Sequence, residues 1–498
     1  MAETLELTAP NGTKYSQPTG LFINNEFVAA TSGDTIETVN PYDESVIAKV
    51  HAASEKDVDA AVAAARAAFK TGSEWRNLTP QERGVLLWKL GDLCKRDEQI
   101  LATIDAWDNG KPYEVVLGED VAETISVFRY YAGWADKIYG QTIDVGNAKL
   151  AYTKHEPLGV CGQIIPWNFP VMMAAWKLGP ALACGNTVVL KSAEQTPLSA
   201  LYLAGLIKEA GFPPGVVNVV SGYGKTAGAV LASHPKVDKI AFTGSTVTGR
   251  NIMKSAAVNM KNITLETGGK SPLLVFEDAD MDQAVKWSHV GIMAMAGQVC
   301  TSTSRIYVQD SVYEKFLEEF KKYTKDNTTI GSQFDSNVTH GPQISKTQQE
   351  KIMSYVDSAK SEGARLVLGG EVSHKQGYFV DPTIFADVRN DMKAVREEVF
   401  GPFVVVQSFS SEDEVIEKAN DTEYGLGAAV FTKDIVRGHR VAGEIQAGMV
   451  WINSSQDSHF GIPFGGYKQS GIGRELGQYA LSAYTQVKAV HVNLGTWL

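Results

Sequence analysis

The fold is set by five short apolar runs in the middle of the chain: GVCGQIIP (159–166), NTVVLK (186–191), VVNVVS (216–221), KIAFTG (239–244) and ITLETGG (263–269). Amphipathic helical patterns lie between them, including residues 198–210 and 226–233. Strands that are apolar throughout and alternate with helices are typical of parallel sheets covered on both faces. We therefore expect a doubly wound α/β sheet, whose ligands bind beyond the carboxyl ends of the strands.

A second α/β series follows toward the C-terminus. Its apolar runs are RIYVQ (305–309), RLVLGG (365–370), FVVVQSF (403–409), GAAVFT (427–432) and GMVWIN (448–453). On the N-terminal side, Ser54 with Asp57 and Thr79 with Glu82 have the spacing of helix capping boxes. No low-complexity linker or internal repeat interrupts the chain, so we expect tightly joined domains.

Composition excludes several classes of function. A length of 498 residues predicts two or three domains, and a formal charge of -11 argues against nucleic-acid binding. The four cysteines form no CxxC, and HExxH is absent, so neither a disulfide framework nor a metal site is expected. The first twenty residues resemble neither a secretory signal nor a transit peptide, and no run suits a membrane span. These features predict a cytoplasmic protein that does not bind membranes.

Two glycine-rich segments follow predicted strands. SGYGKTAG (221–228) has a GxG, but its next glycine is one position late for GxGxxG, so a tight turn is the commoner interpretation. FTGSTVTG (242–249) fits either an ordinary helix cap or a diphosphate site at a helix start.

Three single residues are candidates for chemistry. Cys300 lies among small and polar residues in AGQVCTSTSR (296–305), where a thiol nucleophile would have room, although a free cysteine is usually a buried apolar residue. Glu266 ends an apolar run in LETGGK (265–270), and Asn168 lies in the loop PWNFP (166–170). A loop carboxylate and a turn asparagine are the ordinary alternatives.

The order of the motifs resembles the aldehyde dehydrogenase family, most closely its general aliphatic class. The matching segments are PWNFP (166–170), KSAEQTP (191–197), FTGSTVTG (242–249), LETGGK (265–270), GQVC (297–300), EEVFGPF (397–403) and PFGGYKQSGIGRELG (463–477). Seven ordered motifs over some three hundred residues make chance agreement implausible.

The resemblance implies NAD-dependent oxidation of aldehydes to carboxylic acids. It identifies Cys300 as the nucleophile that forms a thiohemiacetal and then a thioester, Asn168 as an oxyanion donor, and Glu266 as the base that activates water. Two alternatives stay open: a CoA-acylating aldehyde dehydrogenase, which Glu266 disfavours, and a non-catalytic structural role.

The family's cofactor and substrate residues carry over to matching positions. Glu194 favours NAD because a carboxylate would repel the 2′-phosphate of NADP, although Lys191 leaves NADP open. The implied cofactor residues are Trp167, Lys191, Glu194, Gly224, Gly228, Gly244, Ser245, Gly249, Glu398 and Phe400. The implied substrate-tunnel residues are all large and apolar, which favours small uncharged aldehydes such as acetaldehyde; they are Phe169, Met173, Trp176 and Phe464.

The family's organisation implies three structural parts. Residues 20–139 and 159–267 would form a discontinuous, Rossmann-like NAD-binding domain, and residues 268–477 a second α/β domain that carries the nucleophile. Residues 140–158 and 478–498 would form a small β oligomerisation element. The apolar C-terminal strand would be a liability if it were unpaired, so a homotetramer is expected.

Overall fold

The computed structural model of the chain describes residues 4–498. Its largest sheet has eight strands, in the spatial order Gly471–Ile472, Asn262–Glu266, Lys239–Thr243, Val160–Ile164, Thr187–Lys191, Val217–Val220, Leu21–Ile23 and Glu26–Val28. The five strands from Asn262–Glu266 to Val217–Val220 are parallel to one another. These are the five runs that the sequence predicted, and their parallel arrangement is confirmed.

The order of the parallel strands reverses beside Val160–Ile164. The next strand in sequence, Thr187–Lys191, pairs with one of its edges, and the later strand Lys239–Thr243 pairs with the other. Two neighbouring crossovers therefore leave the sheet in opposite directions, which opens a crevice at the carboxyl ends of these strands. This crevice positions the candidate site.

Helices cover both faces of the sheet, and alternate side chains of one strand therefore pack in two different cores. Val188 and Leu190 pack in a core with the helix Pro170–Ala183, whereas Val189 packs in a second core with the helix Glu55–Phe69. Successive side chains of a strand point to opposite faces, so a run that is apolar at every position needs two covers. The predicted doubly wound α/β class is confirmed.

A second sheet has seven strands, in the order Arg365–Leu368, Thr383–Ala386, Phe403–Phe409, Arg305–Gln309, Pro272–Val275, Gly427–Phe431 and Met449–Ile452. All neighbours are parallel except the edge strand Arg365–Leu368. Leu273 and Leu274 again enter two separate cores. This sheet is the second α/β unit that the sequence predicted.

Three smaller antiparallel sheets complete the β structure. Thr142–Ile143, Lys149–Pro157 and Thr485–Asn493 form a three-stranded sheet. Two-stranded sheets join Thr4–Thr8 to Lys14–Pro18 and Thr35–Val39 to Val46–His51.

The helices follow the predicted signals closely. Both capping boxes form, at Ser54 with Asp57 and at Thr79 with Glu82. The α-helices are Glu55–Phe69, Glu74–Asn77, Pro80–Arg96, Glu98–Asn109, Tyr113–Val115, Ala122–Trp134, Pro170–Ala183, Leu198–Ala210, Ala229–Ser233, Thr246–Ala256, Met281–Met293, Tyr313–Asp326, Lys346–Ser361, Lys393–Arg396, Glu412–Asn420, Ile435–Glu444 and Tyr479–Ser482. Within residues 4–498, π-helical turns occur at Val116–Val121 and Gly224–Gly228, so the glycine-rich segment SGYGKTAG (221–228) ends in a π turn that leads into the short helix Ala229–Ser233. Over residues 4–498, none of these helices combines the length and the apolar character that a membrane crossing needs.

Candidate active site

The candidate chemistry lies in the crevice where the strand order reverses. Asn168 follows the strand Val160–Ile164, and Glu266 is the last residue of its own strand. Both line one cavity of about 310 Å³ together with Cys300, which comes from the second α/β unit. The structure thus brings together the three residues that the motifs singled out.

The segment before Cys300 is strained and held on both sides. Met295 and Ala296 have φ values of 51° and 52°, a left-handed conformation that non-glycine residues rarely adopt. Gln298 Oε1 accepts a hydrogen bond from the Ile344 backbone N–H (3.0 Å). Beyond the cysteine, the Thr301 carbonyl accepts one from Gln456 Nε2 (3.0 Å). These anchors fix the backbone that presents the thiol.

Asn168 connects the crevice loop to the cysteine segment. Its amide Nδ2 donates to the Gln298 carbonyl oxygen at 2.9 Å, and the side chain is buried. An amide nitrogen carries two N–H groups, so one of them remains for a ligand in the cavity. This arrangement places a neutral donor beside the thiol.

Glu266 is a buried carboxylate with an unsatisfied atom. It is only 3% exposed, and its Oε1 has no hydrogen-bond partner among the described residues. Burial raises the pKa of Glu266 well above its usual value, and the nearby Glu475 raises it further, whereas Lys177 and Arg474 oppose the rise. A carboxyl group with such a pKa exchanges protons closer to neutral pH than an exposed one does.

A polar network outside the predicted motif roles supports that carboxylate. Lys177 Nζ donates to Thr243 Oγ1 at 2.7 Å and forms a buried ion pair with Glu475. Glu475 lies inside the family motif PFGGYKQSGIGRELG, but the resemblance implies no role for it. Lys177 lies within an apolar helix, so the sequence pattern does not mark it as a functional residue. Their pairing joins residues far apart in sequence, which a pattern search along the chain does not detect.

Cys300 is partly exposed, while the other three cysteines are buried. Burial of the thiol, followed by the charges of Glu266 and Glu398, raises the pKa of Cys300 well above its usual value. Reaction as a thiolate therefore requires removal of the proton by a neighbouring base.

Half of the predicted cofactor residues line the same cavity, namely Trp167, Gly244, Ser245, Glu398 and Phe400. Ser245 caps the helix Thr246–Ala256 by accepting from the Thr248 N–H, so this helix begins at the cavity. Glu398 Oε1 accepts from the Gly269 N–H at 2.9 Å. The Trp167 and Phe400 rings meet edge to face with centroids 5.4 Å apart.

The remaining cofactor candidates lie outside the cavity, along the neighbouring strand ends. Lys191 Nζ lies 3.5 Å from Glu194 Oε2. Gly224 and Gly228 bound the π turn after the next strand, and a β-carbon on Gly228 would lie 3.6 Å from the Lys191 side chain. Gly249 instead packs its helix against Thr267, because a β-carbon there would lie 2.8 Å from the Thr267 methyl group.

The four predicted tunnel residues, Phe169, Met173, Trp176 and Phe464, also line the cavity. The Trp176 and Phe464 rings pack edge to face with centroids 4.9 Å apart. Among the polar lining residues that sequence reasoning missed, Glu119, Asp120, Glu123, Gln348 and Lys351 lie on helical segments. The polar pattern of those segments is that of a solvated helix face, so no sequence signal distinguishes these residues from ordinary surface residues.

Comparison with known proteins gives the family. The family model described as aldehyde dehydrogenase family matches residues 27–490. The aldehyde dehydrogenase of Emericella nidulans is 55% identical over 97% of this chain and 96% of its own length. The mitochondrial aldehyde dehydrogenase of Mesocricetus auratus is 50% identical over 99% of both chains.

A solved structure supports the same family. The NAD+ complex of aldehyde dehydrogenase from Bacillus cereus superposes with a TM-score of 0.94 and 52% identity, over 96% of this chain and 97% of that one. Both the sequence match and the fold extend over nearly the whole length. The chain therefore belongs to the aldehyde dehydrogenase family, whose members are oxidoreductases that act on aldehydes.

Proposed function

We propose that this enzyme oxidises aldehydes to carboxylic acids with NAD, through a thioester on Cys300. One observation carries the proposal: a thiol, a neutral amide donor and a buried carboxylate line the same cavity as half of the predicted cofactor residues. That set supplies a nucleophile, a stabiliser for the oxyanion and a base, which are the groups that a covalent route requires.

In the first step the Cys300 thiolate attacks the aldehyde carbon, a C–S bond forms, and the carbonyl oxygen becomes an oxyanion. The free N–H of Asn168 and the backbone N–H of Cys300 would donate to that oxyanion. The raised pKa of the thiol supports a role for Glu266 as the acceptor of its proton. NAD, when bound, would supply the hydride acceptor for this oxidation, and Cys300 Sγ would then hold the acyl group as a thioester.

Before the second step Glu266 releases the thiol proton to solvent. It then takes a proton from water, which attacks the thioester carbon and releases the carboxylic acid and the thiolate. The raised pKa and unsatisfied Oε1 of Glu266 fit a group that alternates between its charged and neutral forms. Release to coenzyme A would not need this base, so its presence favours hydrolysis.

The chain offers a fitting cradle for NAD. Donors at the start of the helix Thr246–Ala256, next to Gly244 and Ser245, suit the diphosphate, and the pair of buried Lys191 with partly exposed Glu194 suits the adenine ribose. Glu398, Phe400 and Trp167 would hold the nicotinamide end in the cavity. We assign Gly224 and Gly228 to the adenine side, where small residues admit a ligand. Gly249 would act through helix packing, and the Glu194 carboxylate favours NAD over NADP.

The proposed substrates are small aliphatic aldehydes, with acetaldehyde as the reference compound. Phe169, Met173, Trp176 and Phe464 give the cavity a large apolar wall beside the thiol. Such a wall desolvates an alkyl chain and holds its carbonyl end in place.

For domain organisation and assembly we assign residues 20–139 and 159–267 to NAD binding, residues 268–477 to the catalytic unit, and residues 140–158 and 478–498 to a homotetramer contact. The strand Thr485–Asn493 supports this contact, because Val487 on it is 62% exposed and the strand has one free edge in the chain.

The four free cysteines fit a reducing compartment, and we place the enzyme in the cytoplasm.

The direct test is NADH absorbance with the purified protein, acetaldehyde and NAD. We expect rapid NADH formation that iodoacetamide abolishes, and much slower turnover with NADP. Absence of turnover with a wide panel of aldehydes would contradict the proposed function.

A further inference from the structure

The cavity that holds Cys300 has an acidic wall for which the proposed mechanism has no use. Glu119, Asp120 and Glu123 line it, from the π turn Val116–Val121 and the first turn of the helix Ala122–Trp134. Asp120 is buried and Glu123 is half-buried, whereas Glu119 is exposed, so the first two differ from an acidic patch on the outer surface. A carboxylate in this cavity can interact with a ligand whose carbonyl carbon lies at Cys300.

The acidic wall has more carboxylates than cations. Lys111 forms an ion pair with Asp120 Oδ2, but Asp120 Oδ1 is buried without a hydrogen-bond partner among the described residues. Within residues 4–498, neither Glu119 nor Glu123 forms an ion pair with a cationic side chain. Lys351 also lines the cavity, but the carboxylates whose charges act on it are Glu398 and Glu397. The acidic wall itself therefore has an excess of negative charge.

Glu123 is the best positioned of the three. Its Oε1 accepts a hydrogen bond from Trp176 Nε1 at 3.0 Å, and Trp176 in turn packs against Phe464. Burial, together with the charges of Asp120 and Glu119, raises the pKa of Glu123 to about 7, and the hydrogen bond from Trp176 opposes this rise. A positively charged ligand group would supply the missing partner.

The aromatic wall also suits a cation. Aromatic faces attract ammonium groups, and this wall already binds one: Lys111 Nζ lies 4.3 Å from the centroid of the Phe169 ring. Phe169, Trp176 and Phe464 line the cavity together with Glu123. Carboxylate and aromatic groups side by side recognise an alkylammonium better than a neutral alkyl chain.

We propose that this site prefers aldehydes that carry an ammonium group at the end remote from the carbonyl, and that Glu123 binds this ammonium group. The inference rests on the proposed function, because it takes Cys300 as the residue that binds the carbonyl end. Neutral alkanals of the same length remain substrates with a lower kcat/KM. Glu119 adds to the field at the same wall and makes a smaller contribution because it is more exposed.

The test compares ω-ammonio aldehydes of three to six carbons with the alkanals in which a methyl group replaces the ammonium group. We expect at least one ammonium compound to exceed its alkanal about tenfold in kcat/KM, the size of one charge-assisted contact. Glu123→Gln keeps an acceptor for Trp176 Nε1 but removes the charge, so it should reduce this ratio to near one. Glu114→Gln is the matched control, because Glu114 is exposed on the same segment and does not line the cavity.

A second measurement needs no variant. Alkylammonium ions should inhibit alkanal oxidation competitively with the aldehyde, and more strongly than alkanols of equal length. If alkanals are oxidised but no ammonium compound is preferred, or if Glu123→Gln leaves the ratio unchanged while its thermal midpoint matches the parent, the inference is wrong. If neither series is oxidised, the proposed function itself fails.

Discussion

A β-carbon on Gly269 would lie 2.7 Å from the carbonyl oxygen of Cys300. Gly269 follows the strand that ends in Glu266, so this close approach fixes the spacing between the segment of the nucleophile and the segment of the base. Only glycine leaves room for the carbonyl oxygen, since protein interiors are packed to van der Waals contact.

Gly269→Ala should therefore push the Cys300 backbone away from its position. We expect kcat to fall about 10²-fold, because a displacement of the reacting group by 1 Å costs that much. Gly205→Ala is the control: this glycine lies inside the helix Leu198–Ala210, and nothing lies within 4 Å of its added carbon. The control should keep its kcat and gain about 0.5–1 kcal/mol of stability in thermal unfolding. Equal kcat values in the two variants would argue against the packing argument.

Asn168→Ala should reduce kcat about 10²- to 10³-fold, since one oxyanion donor is lost. The bond from Asn168 Nδ2 to the Gln298 carbonyl is lost as well, so the thermal midpoint must be measured beside the rate. NAD binding, followed by fluorescence titration, should change little. Normal turnover in this variant would exclude the oxyanion role.

The activity should show an acid limb that belongs to Glu266. Its carboxyl must be ionised to accept a proton, and burial raises its pKa above 4.5, so turnover should fall as the pH falls through that raised pKa. The hydride burst of the first turnover should depend less on this ionisation than deacylation does. A steady-state profile that is flat down to pH 4.5 would contradict the assignment.

Glu475→Gln should move that limb toward lower pH. Glu475 raises the pKa of Glu266, and its neutral replacement also leaves the Lys177 ammonium uncompensated, so both changes favour the ionised form of Glu266. The measurement is the pH profile of kcat for the variant beside the parent. An unchanged or raised apparent pKa would show that the network does not tune the base.

The chain should be a homotetramer in solution. Light scattering at low micromolar concentration should report about four times the 53.9 kDa chain mass. Val487→Lys places a charge on the exposed strand Thr485–Asn493 and should shift the population toward smaller species. A parent chain that stays at 53.9 kDa would overturn the assembly proposal.

Local signals in the sequence predicted the elements, and ordered motifs predicted the candidate residues. Strands such as Thr187–Lys191 are apolar at every position, and helix starts such as Ser54 carry their own caps, so both are visible in short windows. The ion pair of Lys177 with Glu475 and the inward placement of Glu123 depend on tertiary packing. A buried carboxylate and a solvated one look alike along the chain, because the packed neighbours determine the difference.

The covalent claim is tested most directly by intact mass spectrometry of the Glu266→Gln variant mixed with acetaldehyde and NAD. Water can accept the thiol proton in place of Glu266, so hydride transfer should continue at a reduced rate while hydrolysis stalls. The protein should then gain the mass of one acetyl group, and peptide mapping should place that group on Cys300. The same variant with Cys300→Ala should remain unmodified. Absence of an adduct together with normal steady-state turnover, or an acetyl group on another residue, would contradict the thioester route.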